Sequence, residues 1–135
     1  MKRFVRIVCL LLVLSTVFVI PAFAAEQGSN FFAAHSCYLW EVSDSEFQVW
    51  FNVTAVDAMD VLGVSEVIVQ RSTDGVNWSD EAFYYDMYRN GKSYYSGHVT
   101  YSDVTSGYYR AQVTFYAEND TGVGEYTART SSFHY

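Results

Sequence analysis

Two segments of this chain alternate apolar and polar residues with a period of two, and this pattern constrains the fold most. In FQVWFNVTAV, residues 47–56, the inward set is Phe47, Val49, Phe51, Val53 and Ala55. In YRAQVTFYAE, residues 109–118, the inward set is Tyr109, Ala111, Val113, Phe115 and Ala117. Side chains that alternate in this way belong to β-strands with one buried face. We therefore predict a strand in each segment.

Shorter apolar segments predict further strands in NFFAAHSCYLW, SEVIVQR, AFYYDMY, GHVTYSD and GEYTARTSSF. Turn residues stand between them, at Ser43-Asp44-Ser45 and at Asn90-Gly91. VDAMDVLG, residues 56–63, is the one helical candidate, and it is too short to cover a sheet. About seven strands without crossover helices indicate an all-β fold, a single antiparallel β-sandwich.

The N-terminal residues predict export of the chain. A basic start precedes an apolar run of 14 residues, Ile7 to Ile20, and Ala22-Phe23-Ala24 forms an A-x-A cleavage site. A membrane span needs roughly 20 apolar residues, so the run is short for an anchor. We predict a signal peptide at 1–24 and a secreted, extracellular domain at 25–135, without membrane attachment after cleavage.

The charge of the predicted mature chain disfavours nucleic acid as a partner. Residues 25–135 keep five of the eight basic residues and all fifteen acids, which gives a net charge of −10. Affinity for nucleic acid comes largely from neutralising phosphates, so this chain would be repelled. The acids are scattered singly, as on a solvated surface.

Cys37 is the single cysteine of residues 25–135, so the domain is expected to fold without an internal disulfide. Three interpretations stay open: a buried apolar residue, an intermolecular disulfide site or a reactive thiol. His35 would share its strand face, which could give half a metal site or a thiol with its base. Structural zinc needs four ligands, and the other histidines lie on distant segments. We predict no metal and no cofactor.

The stretch QRSTDGVNW, residues 70–78, contains a recognisable turn signal. Asp74 can fold its carboxylate onto the N–H groups of its own turn, and Gly75 supplies a positive φ. Trp78 is expected to pack on the start of the next strand. We interpret Asp74, Gly75 and Trp78 as a structural turn that joins two strands, with a ligand contact as the alternative.

VTFYAENDTGVGEY, residues 113–126, resembles the penultimate strand and last hairpin of fibronectin type III and immunoglobulin-like sandwiches, with Ala117, Asn119 and Gly122 in the usual order. The resemblance implies an anchoring tyrosine at position 111, where this chain has Ala111 and carries Tyr109 instead. SxDGxxW is similar to hairpins of the same domains and to the Asp boxes of sialidase-type propellers, where the motif is structural.

Most of residues 28–117 also resembles a family of small secreted proteins of unknown function from Gram-positive gut bacteria. The matching segments are GSNFFAAHSCYLW, FQVWFNVTAVDAMDVLG, VIVQRSTDGVNWS and GYYRAQVTFYA. The resemblance implies secretion and a small β-domain. It implies no activity, cofactor or site residue.

Catalytic motifs are absent from the sequence. There is no Gly-x-Ser-x-Gly, phosphate loop or dinucleotide fingerprint. A glycosidase needs two carboxylates at a set separation, but with fifteen acids some pair always meets that condition. We predict that the protein is not an enzyme, and keep a small secreted hydrolase as a second alternative.

Tyrosine is dense between residues 83 and 101, and it suggests a binding surface. The candidate ligand-binding residues are Tyr84, Tyr85, Tyr88, Tyr94, Tyr95 and Tyr101. Tyrosine suits protein contacts and sugar stacking alike, although strands also favour it for packing. The leading hypothesis is a non-catalytic module that binds a protein or cell-surface partner, or a second copy of itself, through this face. The alternative is a carbohydrate-binding module.

Overall fold

The computed structural model describes residues 30–135, and the predicted signal peptide lies outside this part. Eight strands follow one another along it. They are β1 Phe32–Ser43, β2 Glu46–Met59, β3 Val61–Ser72, β4 Ser79–Arg89, β5 Lys92–Tyr101, β6 Tyr108–Asn119, β7 Gly122–Arg129 and the short β8 Phe133–His134.

The strands form two sheets that pack face to face. Sheet A has the order β1-β2-β5, and sheet B has the order β4-β3-β6-β7, with β8 beside the start of β6. All pairings are antiparallel. In constant-type immunoglobulin domains the fourth strand joins the sheet of the first two, whereas here β4 pairs with β3. The two packed antiparallel sheets confirm the predicted β-sandwich.

The core lies between the inner faces of the two sheets. Both inward sets predicted from the alternation are buried, and no member is more than 4% exposed. Sheet B adds the inward residues of β3, which are fully buried: Leu62, Val64, Val67 and Val69. Period-two burial therefore places the alternate side chains of β2 on the outer face of sheet A.

The predicted helix at 56–63 is wrong. β2 extends to Met59, and β3 begins at Val61. A single residue, Asp60, therefore links β2 of sheet A to β3 of sheet B. The pairing of β2 with β5 stops after Thr54 and resumes at Met59, which leaves a bulge of exposed residues between them. The chain changes sheets here, and Met59 turns back into the core.

The resemblance implies an anchoring tyrosine at position 111, where the chain has Ala111. Tyr109, at the start of β6, fills that role: its ring is fully buried, and its hydroxyl accepts a hydrogen bond from the backbone N–H of Thr105 at 3.0 Å.

Candidate binding surface

The six candidate tyrosines are divided between the two sheets. Tyr84, Tyr85 and Tyr88 lie on β4 of sheet B, and Tyr94, Tyr95 and Tyr101 lie on β5 of sheet A. Only two residues, Asn90-Gly91, connect these strands, yet they do not pair with each other. The chain passes there from one sheet to the other, so the tyrosine-rich stretch does not form one continuous face.

Four of the six tyrosines take part in packing within the molecule. Tyr95 and Tyr101 point into the core and are 9% and 7% exposed, so neither presents its ring to a ligand. Tyr84 is half-buried, and its hydroxyl donates to the backbone carbonyl of Thr100 at 2.8 Å, which links the sheets at this edge. Tyr88 packs against Tyr116. These contacts are structural.

The remaining two tyrosines are exposed on opposite sides of the sandwich. Tyr85 is 58% exposed on the outer face of sheet B, where its ring runs parallel to that of Phe83. Tyr94 is 55% exposed on the outer face of sheet A. Only Tyr94 thus shares a surface with a wider set of exposed aromatic residues.

That surface is the outer face of sheet A, which we call the uncharged face. It consists of the outward residues of three strands in register: Ala34, Ser36, Tyr38 and Trp40 of β1, Gln48, Trp50, Asn52 and Thr54 of β2, and Tyr94, Ser96, His98 and Thr100 of β5. None of the twelve is Asp, Glu, Lys or Arg, although the chain has fifteen acids. The charged residues Glu46 and Lys92 stand only at the two ends of these strands.

Aromatic side chains of the uncharged face are widely accessible. Trp40 is 60% exposed, and Tyr38 is 44% exposed. Trp50 stands between them and β5, where its ring stacks on His98 with centroids 4.5 Å apart. The Trp50 indole Nε1–H donates to Oε1 of Gln48 at 2.9 Å, which fixes the ring. The face therefore combines a fixed aromatic pair with exposed rings beside it.

The polar side chains of this face are held in a network around Asn52. Its Oδ1 accepts hydrogen bonds from Ser96 Oγ at 2.7 Å and from the Tyr94 hydroxyl at 3.3 Å. Its Nδ2 donates to Ser36 Oγ at 3.2 Å. These bonds join all three strands, so the hydroxyl and amide groups occupy set positions before any ligand arrives.

The outer face of sheet B has a different character. The Arg110 guanidinium lies over the ring of Trp78, 4.1 Å from its centroid, and donates to Gln70, which in turn donates to Asp80. Charged residues of β4 and β6 thus stand on that side of the sandwich. The contrast between the two faces singles out sheet A as the side depleted of charge.

The stretch 72–78 forms the connection between β3 and β4. Asp74 Oδ1 accepts hydrogen bonds from the backbone N–H groups of Val76 and Asn77, each at 2.8 Å, and from Ser72 Oγ. Gly75 has a φ of +75°. The Asp74 carboxylate is thus engaged by hydrogen bonds within its own turn, which joins β3 to β4.

These hydrogen bonds favour the ionised carboxylate and hold the pKa of Asp74 far below its ordinary value. Stability from this group is complete above the unfolded pKa of about 4 and is lost as the pH falls below it. We expect Asp74→Ala to be less stable at neutral pH and to lose less stability between about pH 4 and 2 than the parent. Urea denaturation at each pH measures this. Asp57→Ala, at an exposed site on β2, is the control for the loss of one surface carboxylate.

His35 and Cys37 do not form a reactive pair. The His35 ring stacks on Tyr126 at 4.2 Å and lies near Phe115. Cys37 is half-buried against the core, and desolvation raises the pKa of its thiol, which disfavours the nucleophilic thiolate. Within residues 30–135, no group of three or more His, Cys, Asp and Glu side chains is placed to hold a metal ion.

In the described part of the chain, no helix is long and apolar enough to cross a membrane. Comparisons with models of known protein families, with curated proteins and with solved structures each found no match to this chain.

Proposed function

We propose that this protein is a non-catalytic binding module that holds a neutral saccharide on the uncharged face. The observation that carries the proposal is the composition of that face, where exposed aromatic rings alternate with hydroxyl and amide groups and no charged side chain intervenes. Sugars present C–H groups that pack on aromatic rings and hydroxyls that exchange hydrogen bonds with such polar groups. The proposed binding site is therefore the outer face of sheet A and not the tyrosine-rich stretch of residues 83–101. Tyr94 is the one candidate tyrosine that belongs to this face.

The charge distribution supports a neutral ligand over an anionic one. The uncharged face offers no Lys or Arg to neutralise a uronate, sulfate or phosphate group, and the net charge of −10 on residues 25–135 would repel one. Predicted export and the resemblance to small secreted proteins of Gram-positive gut bacteria would place the module among extracellular polysaccharides.

A protein partner is the second candidate, and one observation favours it. Tyr38, Trp40 and Val42 are all exposed along β1, and tryptophan and tyrosine are typical of the centres of protein interfaces. Such a partner would compete for the same surface, so the same variants test both candidates.

Retention on insoluble neutral polysaccharides tests the proposal, with protein purified from expression of the full-length chain. We expect Trp40→Ala to weaken retention about tenfold or more, because it removes the most exposed ring of the face. Tyr85→Ala is the matched control, since Tyr85 is 58% exposed but lies on sheet B. It should bind as the parent does.

Folding of both variants is checked by circular dichroism and by their denaturation midpoints. Equal retention of the two variants would contradict the assignment of the face. Retention of neither variant nor parent on any polysaccharide would favour the protein partner. Release of soluble sugar from the matrix would contradict the non-catalytic part of the proposal.

A further inference from the structure

β1 forms an open edge of sheet A. It pairs with β2 on one side, and no strand of residues 30–135 pairs with the other side. It is 12 residues long, contains neither Pro nor Lys, and carries one charged residue, Glu41. Natural sheets protect such edges with short strands, charges, prolines or bulges. β1 has bulges only near its ends, between Phe32 and Ala34 and between Glu41 and Ser43.

The other edge strands of the described residues are shorter than β1, and two of them carry more charge. β4 carries two acids at its start and has Asp86 at a φ of +59°, which interrupts its extended backbone. β7 has 8 residues, including Glu125 and Arg129. β5 begins with Lys92. β1 is therefore the longest edge strand of the described residues, and it carries a single charged residue.

We propose that β1 pairs antiparallel with β1 of a second copy of this chain, with the two-fold axis at Cys37. In this register, residues whose numbers sum to twice 37 face each other. On the outer side, Ser36 faces Tyr38 of the second copy, and Ala34 faces its Trp40. Each small residue lies opposite a large exposed ring, so the strand is complementary to itself.

The charges of β1 suit this pairing. Glu41 faces Ala33 of the second copy, so no like charges oppose each other. This matters in a chain with a net charge of −10 over residues 25–135, where most other contacts between copies would bring acids together. The charge pattern therefore favours a second copy at this edge over a contact elsewhere.

The axis position also brings the two Cys37 residues face to face. Directly opposed residues of antiparallel strands have Cα atoms about 4.5 or 5.5 Å apart, and a disulfide needs roughly 4.4–6.8 Å. Either geometry allows a disulfide between the copies. Its formation releases two protons and two electrons, which dissolved oxygen accepts.

The pairing would join the two three-stranded sheets into one of six strands and make the two uncharged faces continuous. It does not depend on the identity of the ligand, so it stands or falls separately from the proposed function. A dimer would present two copies of the face on the same side.

Sedimentation velocity and non-reducing electrophoresis test the proposal on protein purified from expression of the full-length chain. We expect a dimer at about 100 µM, a concentration that populates even modest affinities, with a disulfide that air forms and dithiothreitol cleaves. Cys37→Ser should lose the covalent link.

Cysteine placement tests the register in the Cys37→Ser background. Ser36→Cys with Tyr38→Cys should restore the covalent dimer, because positions 36 and 38 face each other. Ser36→Cys alone should not, since diagonal partners lie about 7–8 Å apart, beyond disulfide reach. A monomeric parent at this concentration would overturn the proposal. Equal cross-linking of the single and double variants would overturn the register.

Discussion

Phe47→Ala is expected to lower the free energy of unfolding by about 3–5 kcal/mol, the range found when a buried phenylalanine is truncated. The ring of Phe47 is fully buried and packs on three tyrosines at one end of the core, with centroids 5.3 Å from Tyr101, 5.4 Å from Tyr109 and 5.7 Å from Tyr135. Truncation removes these contacts and leaves a cavity that the rigid sheets cannot close.

Chemical denaturation measures this loss as a lower midpoint at an unchanged slope. Such a loss is a large part of the total stability of an ordinary domain, about 5–15 kcal/mol. Phe83→Ala is the control, because that ring is 49% exposed on sheet B, and a surface change of this kind costs about 0.5 kcal/mol. Similar losses in the two variants would mean that the aromatic cluster does not anchor the core.

Gly63→Ala is expected to destabilise the protein by about 1–3 kcal/mol, the usual cost of overpacking. An added Cβ would press on the Met87 carbonyl oxygen and would lie 2.9 Å from the Cα of Tyr88. Gly63 pairs with Tyr88 on one side and with Tyr116 on the other, and the two rings meet with centroids 5.4 Å apart. The missing side chain lets the backbone of β4 approach β3 closely at Met87 and Tyr88.

Gly91→Ala separates this steric effect from a backbone effect. Gly91 has a φ of +65°, but an added Cβ would meet nothing within 4 Å. Its substitution should cost about 1 kcal/mol through the left-handed backbone alone. In thermal unfolding, Gly63→Ala should show the larger loss. The reverse order would indicate that β3 and β4 separate to admit the new methyl group.

The strands and their buried faces could be predicted from the sequence because alternation is a local property. Phe47 and Tyr109 each begin a segment in which every second residue is apolar, and both are buried as expected. Asp74 and Gly75 likewise carry a turn signal within a few residues. Such features depend on neighbours in the chain.

The sheet to which each strand belongs could not be predicted in this way. A two-residue connection such as Asn90-Gly91 is typical of a hairpin, yet β4 and β5 lie in different sheets. That crossing divides the tyrosines of residues 83–101. At Asp60, a second crossing produced the false helical pattern. Both depend on tertiary packing, which a local pattern does not encode.

The uncharged face was missed for a related reason. Its twelve residues come from three strands, and β1 and β5 are separated by about half of the chain. One local signal was present, since the successive outward residues Gln48, Trp50, Asn52 and Thr54 of β2 are uncharged. This pattern indicates a shared surface only when the strand pairing is known, because the pairing places Tyr38 and His98 on either side of Trp50.

The strand order has a consequence for the time course of folding. The hairpins β1–β2, β3–β4 and β6–β7 are local, whereas the pairings β2–β5 and β3–β6 join segments far apart in the chain. Non-local pairings of this kind slow all-β domains to roughly milliseconds to seconds. A chain emerging from a ribosome can therefore form its first two hairpins early, but it completes both sheets only after β5 and β6 have been made.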